Sequence, residues 1–173
     1  HYDEIAKDDY AKRNFPIYKE RLNNGYITAV ATEADAISVI RNLCRFYNVN
    51  YIMAYNSGFD FVKTKCKELL DEFEFIDIYL MALQTITHLA GYRKFCLENE
   101  KMSKSKKTCS TSAETVYAFI RDNADYIEEH TALSDALIEM AIFVRCAKMK
   151  KHYTKNVHMW DCEEKNKCFP KWR

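Results

Sequence analysis

Glycine and proline are scarce in this sequence, with three and two occurrences in 173 residues. So few turn-forming residues favour long helices joined by polar turns. An excess of one charge is also lacking, because 26 Lys and Arg residues face 25 Asp and Glu residues. No global electrostatic field therefore draws the protein to nucleic acid or to an anionic membrane, and binding of a polyanion requires a local site.

Long apolar runs and paired cysteines are missing too. No apolar stretch approaches the roughly 18 residues that span a bilayer. The seven cysteines are odd in number, include no C-x-x-C pair and follow no charged-then-apolar leader. These features predict reduced thiols in a soluble, cytoplasmic protein without a membrane partner.

The length and the 48% hydrophobic content suit one globular domain. We expect this domain over residues 1–150 and a polar tail over residues 151–173. Because the sequence starts at His1 and shows few strands, we also expect further strands ahead of residue 1.

Hydrophobic periodicity predicts alternating strands and helices. Pro16 should interrupt the first helical segment and Gly25 should end it. Thr32 should cap the second segment, and Ser112 or Thr111 should cap the sixth. Helices are expected over 2–23, 33–47, 61–73, 79–86, 91–100, 113–122 and 131–150, and strands over 26–30, 51–55 and 74–78. The pattern predicts a helix-rich α/β domain whose sheet is covered by helices.

Two carboxylates stand at positions where a partner is needed. Asp135 lies in a helix that is apolar nearly all round and is therefore expected to be buried. A buried carboxylate requires a backbone N–H, a lysine or a metal ion. Asp60 follows the strand at 51–55, where it either completes a capping box with Ser57 or belongs to a site at the strand's carboxyl end.

His130 precedes Asp135 by five residues, which would place the two side chains about 140° apart on one helix. Either they have separate roles, or His130 lies in the approach loop and folds back over the first turns. A lone histidine here can also be an ordinary surface residue. Two carboxylates with a loop histidine are, however, what two-metal phosphodiester hydrolysis requires.

Two motifs carry a resemblance to a known family. "HTALSDA" resembles the third motif, H-x-A-L-x-D-A, of the DnaQ-like (DEDDh) 3'-5' exonucleases, and "AYNSGFD" resembles their second, N-x-x-F-D. They occur in the family's order, about 70 residues apart. Looser similarity to phage-type and low-GC bacterial members extends through "LMALQTI", "YRKFCLEN" and "TSAETVYAFI", so that it covers residues 1–150.

The resemblance implies an RNase H-like fold, incomplete at its N-terminal strands, and hydrolysis of single-stranded DNA or RNA from the 3' end with two Mg²⁺ or Mn²⁺ ions. Asp60 and Asp135 would bind metal, and His130 would be the general base. Asn56 and Phe59 would shape the turn beside the scissile phosphate, and Tyr55 would contact a terminal base. A DNA polymerase is a further expected partner.

The family's first motif, D-x-E on the opening strand, is not found. Asp3 and Glu4 are adjacent, so on a strand they would point to opposite faces, and Asp77 has no acid two residues on. We therefore expect little activity from this chain alone. The alternative is a noncatalytic module on a degenerate nuclease fold that binds nucleic acid or a polymerase.

Other features favour simpler interpretations. The lysine-rich loop at 101–107 is expected to be solvated, and Tyr55, Phe59 and Tyr79 can equally be core aromatics. In the tail, His152, His158, Cys162 and Cys168 lack the close cysteine pair of structural zinc sites, and Trp160, Phe169 and Trp172 are expected to dock the tail against the body.

Overall fold

The structure, a computed structural model, describes residues 9–26, 32–57, 69, 72–103, 105 and 108–149. The chain divides into two compact units, residues 1–47 and 48–173, and each is considered by itself. Six helices and a two-stranded parallel sheet make the described part a helix-rich α/β structure. That part of the predicted fold class is confirmed.

The first unit contains two helices, α1 (Asp9–Asn23) and α2 (Glu33–Phe46). α1 continues through Pro16, so the predicted interruption there is wrong. A proline inside a helix removes one backbone hydrogen bond and crowds the preceding turn. Pro16 is exposed, so water can bind the carbonyl that loses its partner, and the rest of the helix persists.

Both helix ends that the sequence marks are built as expected. After α1, Gly25 adopts φ +73°, and the Gly25 and Tyr26 N–H groups donate to the carbonyls of Leu22 and Arg21. This is the Schellman arrangement that a glycine makes inexpensive. At the start of α2, the Thr32 hydroxyl accepts from the Asp35 N–H at 3.1 Å, and the Asp35 carboxylate accepts from the Thr32 N–H at 3.0 Å.

The second unit begins with a parallel strand pair. β1 (Tyr51–Ala54) pairs with β2 (Glu74–Asp77) so that Tyr51 lies opposite Glu74 and Ala54 opposite Asp77. These strands confirm the predictions at 51–55 and 74–78. The predicted strand at 26–30 and the predicted helix at 61–73 lie almost wholly outside the described residues.

Four helices and a short 3₁₀ turn follow β2. They are α3 (Ile78–Gln84), the 3₁₀ turn Ile86–His88, α4 (Ala90–Glu98), α5 (Ala113–Ile120) and α6 (Ala132–Lys148). Their positions agree with the predicted helices, and Ser112 rather than Thr111 caps α5, because its hydroxyl accepts from the Thr115 N–H at 3.2 Å. None of the helices in the described ranges is long and apolar enough to cross a membrane.

α3 is the centre of the core of this unit. All seven of its residues are buried, and it packs against α6, with Tyr92, Val116 and Ile142 among the fully buried side chains around it. The four described cysteines, Cys44, Cys96, Cys109 and Cys146, are buried, and they are free thiols, as the sequence predicts.

α6 is buried on one face only, which corrects the prediction of a helix buried all round. Ile138, Ile142 and Cys146 face the core. Leu133, Leu137, Met140 and Val144, on the other side, are exposed. Apolar residues on both sides of a helix predict burial only if elements pack on both sides, and no described segment covers the outer face of α6.

A fully buried carboxylate joins the ends of the two strands. Asp77 accepts at Oδ1 from the N–H groups of Asn56 (3.1 Å) and Tyr79 (2.9 Å), and at Oδ2 from the Ser57 hydroxyl (3.3 Å). Burial raises the pKa of Asp77, and the three hydrogen bonds oppose that rise. The carboxylate therefore caps α3 and fixes the turn after β1, where Asn56 adopts φ +68°.

We predict that Asp77→Ala lowers the free energy of unfolding by about 2–4 kcal/mol, because three buried or half-buried donors lose their acceptor. Chemical denaturation followed by circular dichroism measures the change. The control is Glu98→Ala, which removes only an exposed ion pair with Lys94 on α4 and should cost no more than about 0.5 kcal/mol. Equal losses in the two variants would show that Asp77 does not hold the turn.

Candidate metal site

The start of α6 is fixed by a capping box. The Thr131 hydroxyl accepts from the Ser134 N–H, and the Ser134 hydroxyl accepts from the Thr131 N–H, each at 3.3 Å. Thr131 is fully buried. The backbone of Thr131 is extended, so the helix begins at Ala132. His130 therefore belongs to the approach loop and Asp135 to the first turn of the helix.

His130 turns back over that first turn. Its backbone adopts φ +55°, a left-handed conformation that a residue other than glycine adopts at some cost. In this conformation one ligand atom each of Glu128, His130 and Asp135 lies within 4.8 Å of the others. The structure thus confirms the second of the two arrangements considered for His130, in which it lies in the loop beside Asp135.

Glu128 is the third member of this cluster. Its Oε2 lies 3.4 Å from His130 Nδ1, and its side chain is 13% exposed against 44% for His130. Burial, followed by the charge of Asp135, raises the pKa of Glu128, whereas His130 acts to lower it. Two neighbouring carboxylates in a partly buried place favour a bound proton or a cation between them.

The geometry is close to what one divalent cation needs. Two oxygens on a Mg²⁺ ion at about 2.1 Å can be at most about 4.2 Å apart. Ligand atoms within 4.8 Å of one another therefore need only small side-chain movements to share an ion. Two carboxylates and an imidazole form a donor set that suits Mn²⁺ as well as Mg²⁺.

The surroundings add negative charge and aromatic cover. Glu114, in the first turn of α5, accepts through Oε1 from the Glu128 N–H at 3.4 Å and so holds the approach loop. Tyr126 packs edge-on against Tyr117, with ring centroids 4.8 Å apart. Burial, followed by Tyr117 and the nearby carboxylates, raises the pKa of Tyr126, which keeps its phenol neutral beside the acids.

The turn after β1 is connected to this region through α5. The Tyr55 hydroxyl donates to the Thr111 carbonyl at 2.6 Å, and Thr111 stands three residues before Glu114. The Tyr55 ring also packs against Tyr79, with centroids 5.3 Å apart. Burial raises the pKa of Tyr55 well above its usual value. These contacts give Tyr55 a structural role, and its contact with a terminal base stays a prediction.

Asn56 lies in the turn after β1, where its backbone N–H donates to Asp77, and its role beside a scissile phosphate stays a prediction. Asp60 and Phe59, the other residues expected near the scissile phosphate, lie outside the described residues. The same holds for the tail, with its histidines, cysteines and tryptophans, and for most lysines of the loop at 101–107. An isolated antiparallel bridge joins Met102, in that loop, to Cys109, which follows it.

Sequence reasoning paired His130 with Asp135 but did not assign Glu128. The signal was present, because Glu128 stands two residues before His130 in a loop expected to fold back on the helix. Because Glu128 is only two residues from His130, its side chain stays near the histidine in any conformation of the loop. Its closeness to Asp135 depends on the left-handed turn at His130, which residue types do not specify.

Comparisons with protein-family models, with curated proteins and with solved structures give no match to this chain. The interpretation of the site therefore depends on its own geometry and on the two motifs.

We predict that, in EDTA, Glu128→Gln becomes progressively more stable relative to the unsubstituted chain as the pH rises from about 4 to 7. The pKa of Glu128 is raised in the folded chain, so the folded state holds a proton that the unfolded state releases above the usual value near 4.5. Stability is therefore lost as the pH rises toward the folded-state pKa, and glutamine removes this loss. Urea denaturation across this pH range measures it.

Glu98→Gln, which removes a carboxylate from an exposed helical position, is the matched control for the pH series. The stability difference between Glu128→Gln and the unsubstituted chain should grow with pH, and that for Glu98→Gln should not. A difference at Glu128 that is independent of pH would contradict the raised pKa of Glu128 in the folded chain.

Proposed function

We propose that this protein is a divalent-cation-dependent 3'-5' exonuclease of the DnaQ-like type. The observation that carries the proposal is the cluster of Glu128, His130 and Asp135, whose ligand atoms lie within 4.8 Å of one another. The motif that resembles the family's third motif contributes two of these residues. The parallel pair β1 and β2, followed by helices, supports an RNase H-like fold.

In this proposal Asp135 and Glu128 hold one Mg²⁺ or Mn²⁺ ion, and Asp60 contributes to a second. When bound, the ions would polarise the phosphodiester and favour a hydroxide over water. The reaction forms a bond between a water oxygen and phosphorus and breaks the bond from phosphorus to the 3' oxygen of the preceding nucleotide. One nucleoside 5'-monophosphate leaves the 3' end at each step.

His130 is suited to take the proton of the attacking water. It is exposed enough to meet solvent, and it lies in a loop at the edge of the acidic cluster. Glu128, 3.4 Å from Nδ1, can orient the ring and stabilise the imidazolium that forms. Asn56 and Phe59 would shape the turn next to the phosphate.

We further propose that turnover by this chain is slow. The carboxylates assigned to metal binding are Asp60, Glu128 and Asp135. Neither of the two described strands, β1 and β2, carries the D-x-E pair that adds the acid bridging two ions in the resembling family. Two divalent cations carry four positive charges against three carboxylates, so the second ion should bind weakly. Glu128 partly offsets this deficit, because it adds a carboxylate to the two expected from the motifs.

We predict that Mn²⁺ raises the Tm of the unsubstituted chain, because an ion that binds only the folded state stabilises it. Asp135→Asn should remove most of this rise, and Glu98→Gln should keep it.

With 5'-labelled single-stranded DNA and Mn²⁺, shortening should begin at the 3' end. The rate of shortening should fall by about 10²-fold or more in His130→Ala.

The noncatalytic module is distinguished by the same assays. It predicts binding of single-stranded DNA in EDTA, no Tm rise specific to Asp135, and no effect of His130→Ala. A Tm rise with Mn²⁺ that Asp135→Asn leaves intact would contradict the metal site. Shortening that begins at the labelled 5' end would contradict the proposed polarity.

A further inference from the structure

Two buried thiols lie side by side where the chain leaves α4. Cys96 is in the last turn of α4 and is fully buried, and Cys109, thirteen residues further on, is 6% exposed. Both belong to the core of this unit, and neither is part of a disulfide. Among the cysteines that the structure describes, these are the two whose thiol groups interact with each other. We call them the thiol pair.

Backbone hydrogen bonds hold the two segments of the thiol pair together. The Lys101 N–H donates to the Cys96 carbonyl, and the Ser110 N–H donates to the Lys101 carbonyl, each at 2.9 Å. An isolated antiparallel bridge joins Met102 to Cys109. Lys101 therefore links the backbone of Cys96 to the residue that follows Cys109, so the main chain itself brings the two cysteines together.

Tyr92 holds the same contact from the side of the helix. It stands one turn before Cys96 on α4, and its hydroxyl donates to the Ser110 carbonyl at 2.6 Å. Its side chain is fully buried and packs edge-on against Phe119, with ring centroids 5.1 Å apart. Because residues four apart share a helical face, this bond keeps the face that carries Cys96 against residues 109 and 110.

Two thiols in contact can do what a single buried cysteine cannot. A lone buried cysteine serves as a small apolar residue. Two sulfurs that already interact need only side-chain rotation and a small shift to reach the S–S bond length of about 2.05 Å. Each thiol also meets the other at a high effective concentration, which favours a bond within the chain over a lasting adduct with a small thiol.

The environment of the thiol pair controls how fast it reacts. Burial, followed by the neighbouring Cys109, raises the pKa of Cys96 to about 12. The thiolate is the species that attacks a disulfide, so the protonated Cys96 makes oxidation slow near neutral pH. Cys109 has the larger exposure of the two and therefore meets a dissolved oxidant first.

We propose that Cys96 and Cys109 are a redox-active pair, which a small-molecule disulfide converts to a reversible protein disulfide that braces the connection between α4 and α5. The Cys109 thiolate attacks one sulfur of the small disulfide, whose S–S bond breaks and releases one small thiolate. The Cys96 thiolate then attacks the Cys109 sulfur and expels the second small thiolate.

The exchange is balanced within these reactants. The two protons of the cysteines pass to the two released thiolates. The protein sulfurs are oxidised by two electrons, and the sulfurs of the small disulfide are reduced by the same two. The proposal does not depend on the nuclease assignment, since neither cysteine is assigned to the metal site.

Oxidised glutathione is the probe for the full chain, at about pH 8.5, where more of each thiol is ionised. After the remaining thiols are alkylated, trypsin separates the pair into FCLENEK (residues 95–101) and TCSTSAETVYAFIR (residues 108–121), each with one cysteine. We expect mass spectrometry to find these two peptides joined, and to find them separate after treatment with dithiothreitol.

The same bond should stabilise the folded chain. It closes a loop of about 14 residues in the unfolded state, so the Tm should rise by about 5–10 °C and return on reduction. Cys109→Ala should abolish both the joined peptides and the reversible rise. Cys146→Ala is the matched control and should keep both, because Cys146 is a fully buried cysteine whose sulfur accepts from the Thr85 hydroxyl at 3.3 Å.

Three results would overturn the proposal. The first is a chain in which Cys96 and Cys109 stay free thiols throughout exposure to oxidised glutathione. The second is glutathione retained on Cys109, or a bond from either cysteine to another one, since the thiol pair would then not close on itself. The third is a pair of joined peptides without the reversible rise in Tm, which would remove the bracing role.

Discussion

The capping box between Thr131 and Ser134 determines where α6 begins, and the candidate site depends on that boundary. If the helix began two residues earlier, His130 would lie about 140° from Asp135 and could not reach it. Because the helix begins at Ala132, His130 is free of helical geometry and turns back with φ +55°. Two hydroxyl side chains thus bring a histidine and a carboxylate together.

The electrostatics of the cluster supports the proposed metal site. Glu128 and Asp135 are neighbouring carboxylates, and burial with mutual repulsion raises the pKa of Glu128. A structure that only needed a stable helix start would not require a second acid there, since Asp135 alone benefits from the helix dipole. A bound cation relieves the repulsion, which is why we interpret the arrangement as a metal site.

Much of this structure follows from local sequence signals. Helix ends were predictable at Thr32 and Gly25, because a side-chain cap and a left-handed glycine act within a few residues. Both strands of the sheet were also predictable from short apolar runs. The prediction that Pro16 interrupts the first helix was wrong, because losing one hydrogen bond costs less free energy than the remaining hydrogen bonds of α1 contribute.

The remaining features depend on contacts between distant residues, which local patterns do not contain. The role of Asp77 required knowing that β2 ends beside the turn at Asn56 and Ser57, twenty residues earlier. The exposure of the outer face of α6 likewise depends on which elements pack against the helix. Glu128 is an intermediate case. The sequence shows an acid two residues before His130, but it does not show the left-handed turn at His130 that brings this acid close to Asp135.

The central proposal is that Glu128 and Asp135, beside His130, bind a divalent cation, and a crystal structure of the protein grown with Mn²⁺ tests it most directly. The account predicts an anomalous scattering peak that lies within about 2.5 Å of a carboxylate oxygen of both Glu128 and Asp135. Manganese bound only elsewhere in the crystal would contradict it.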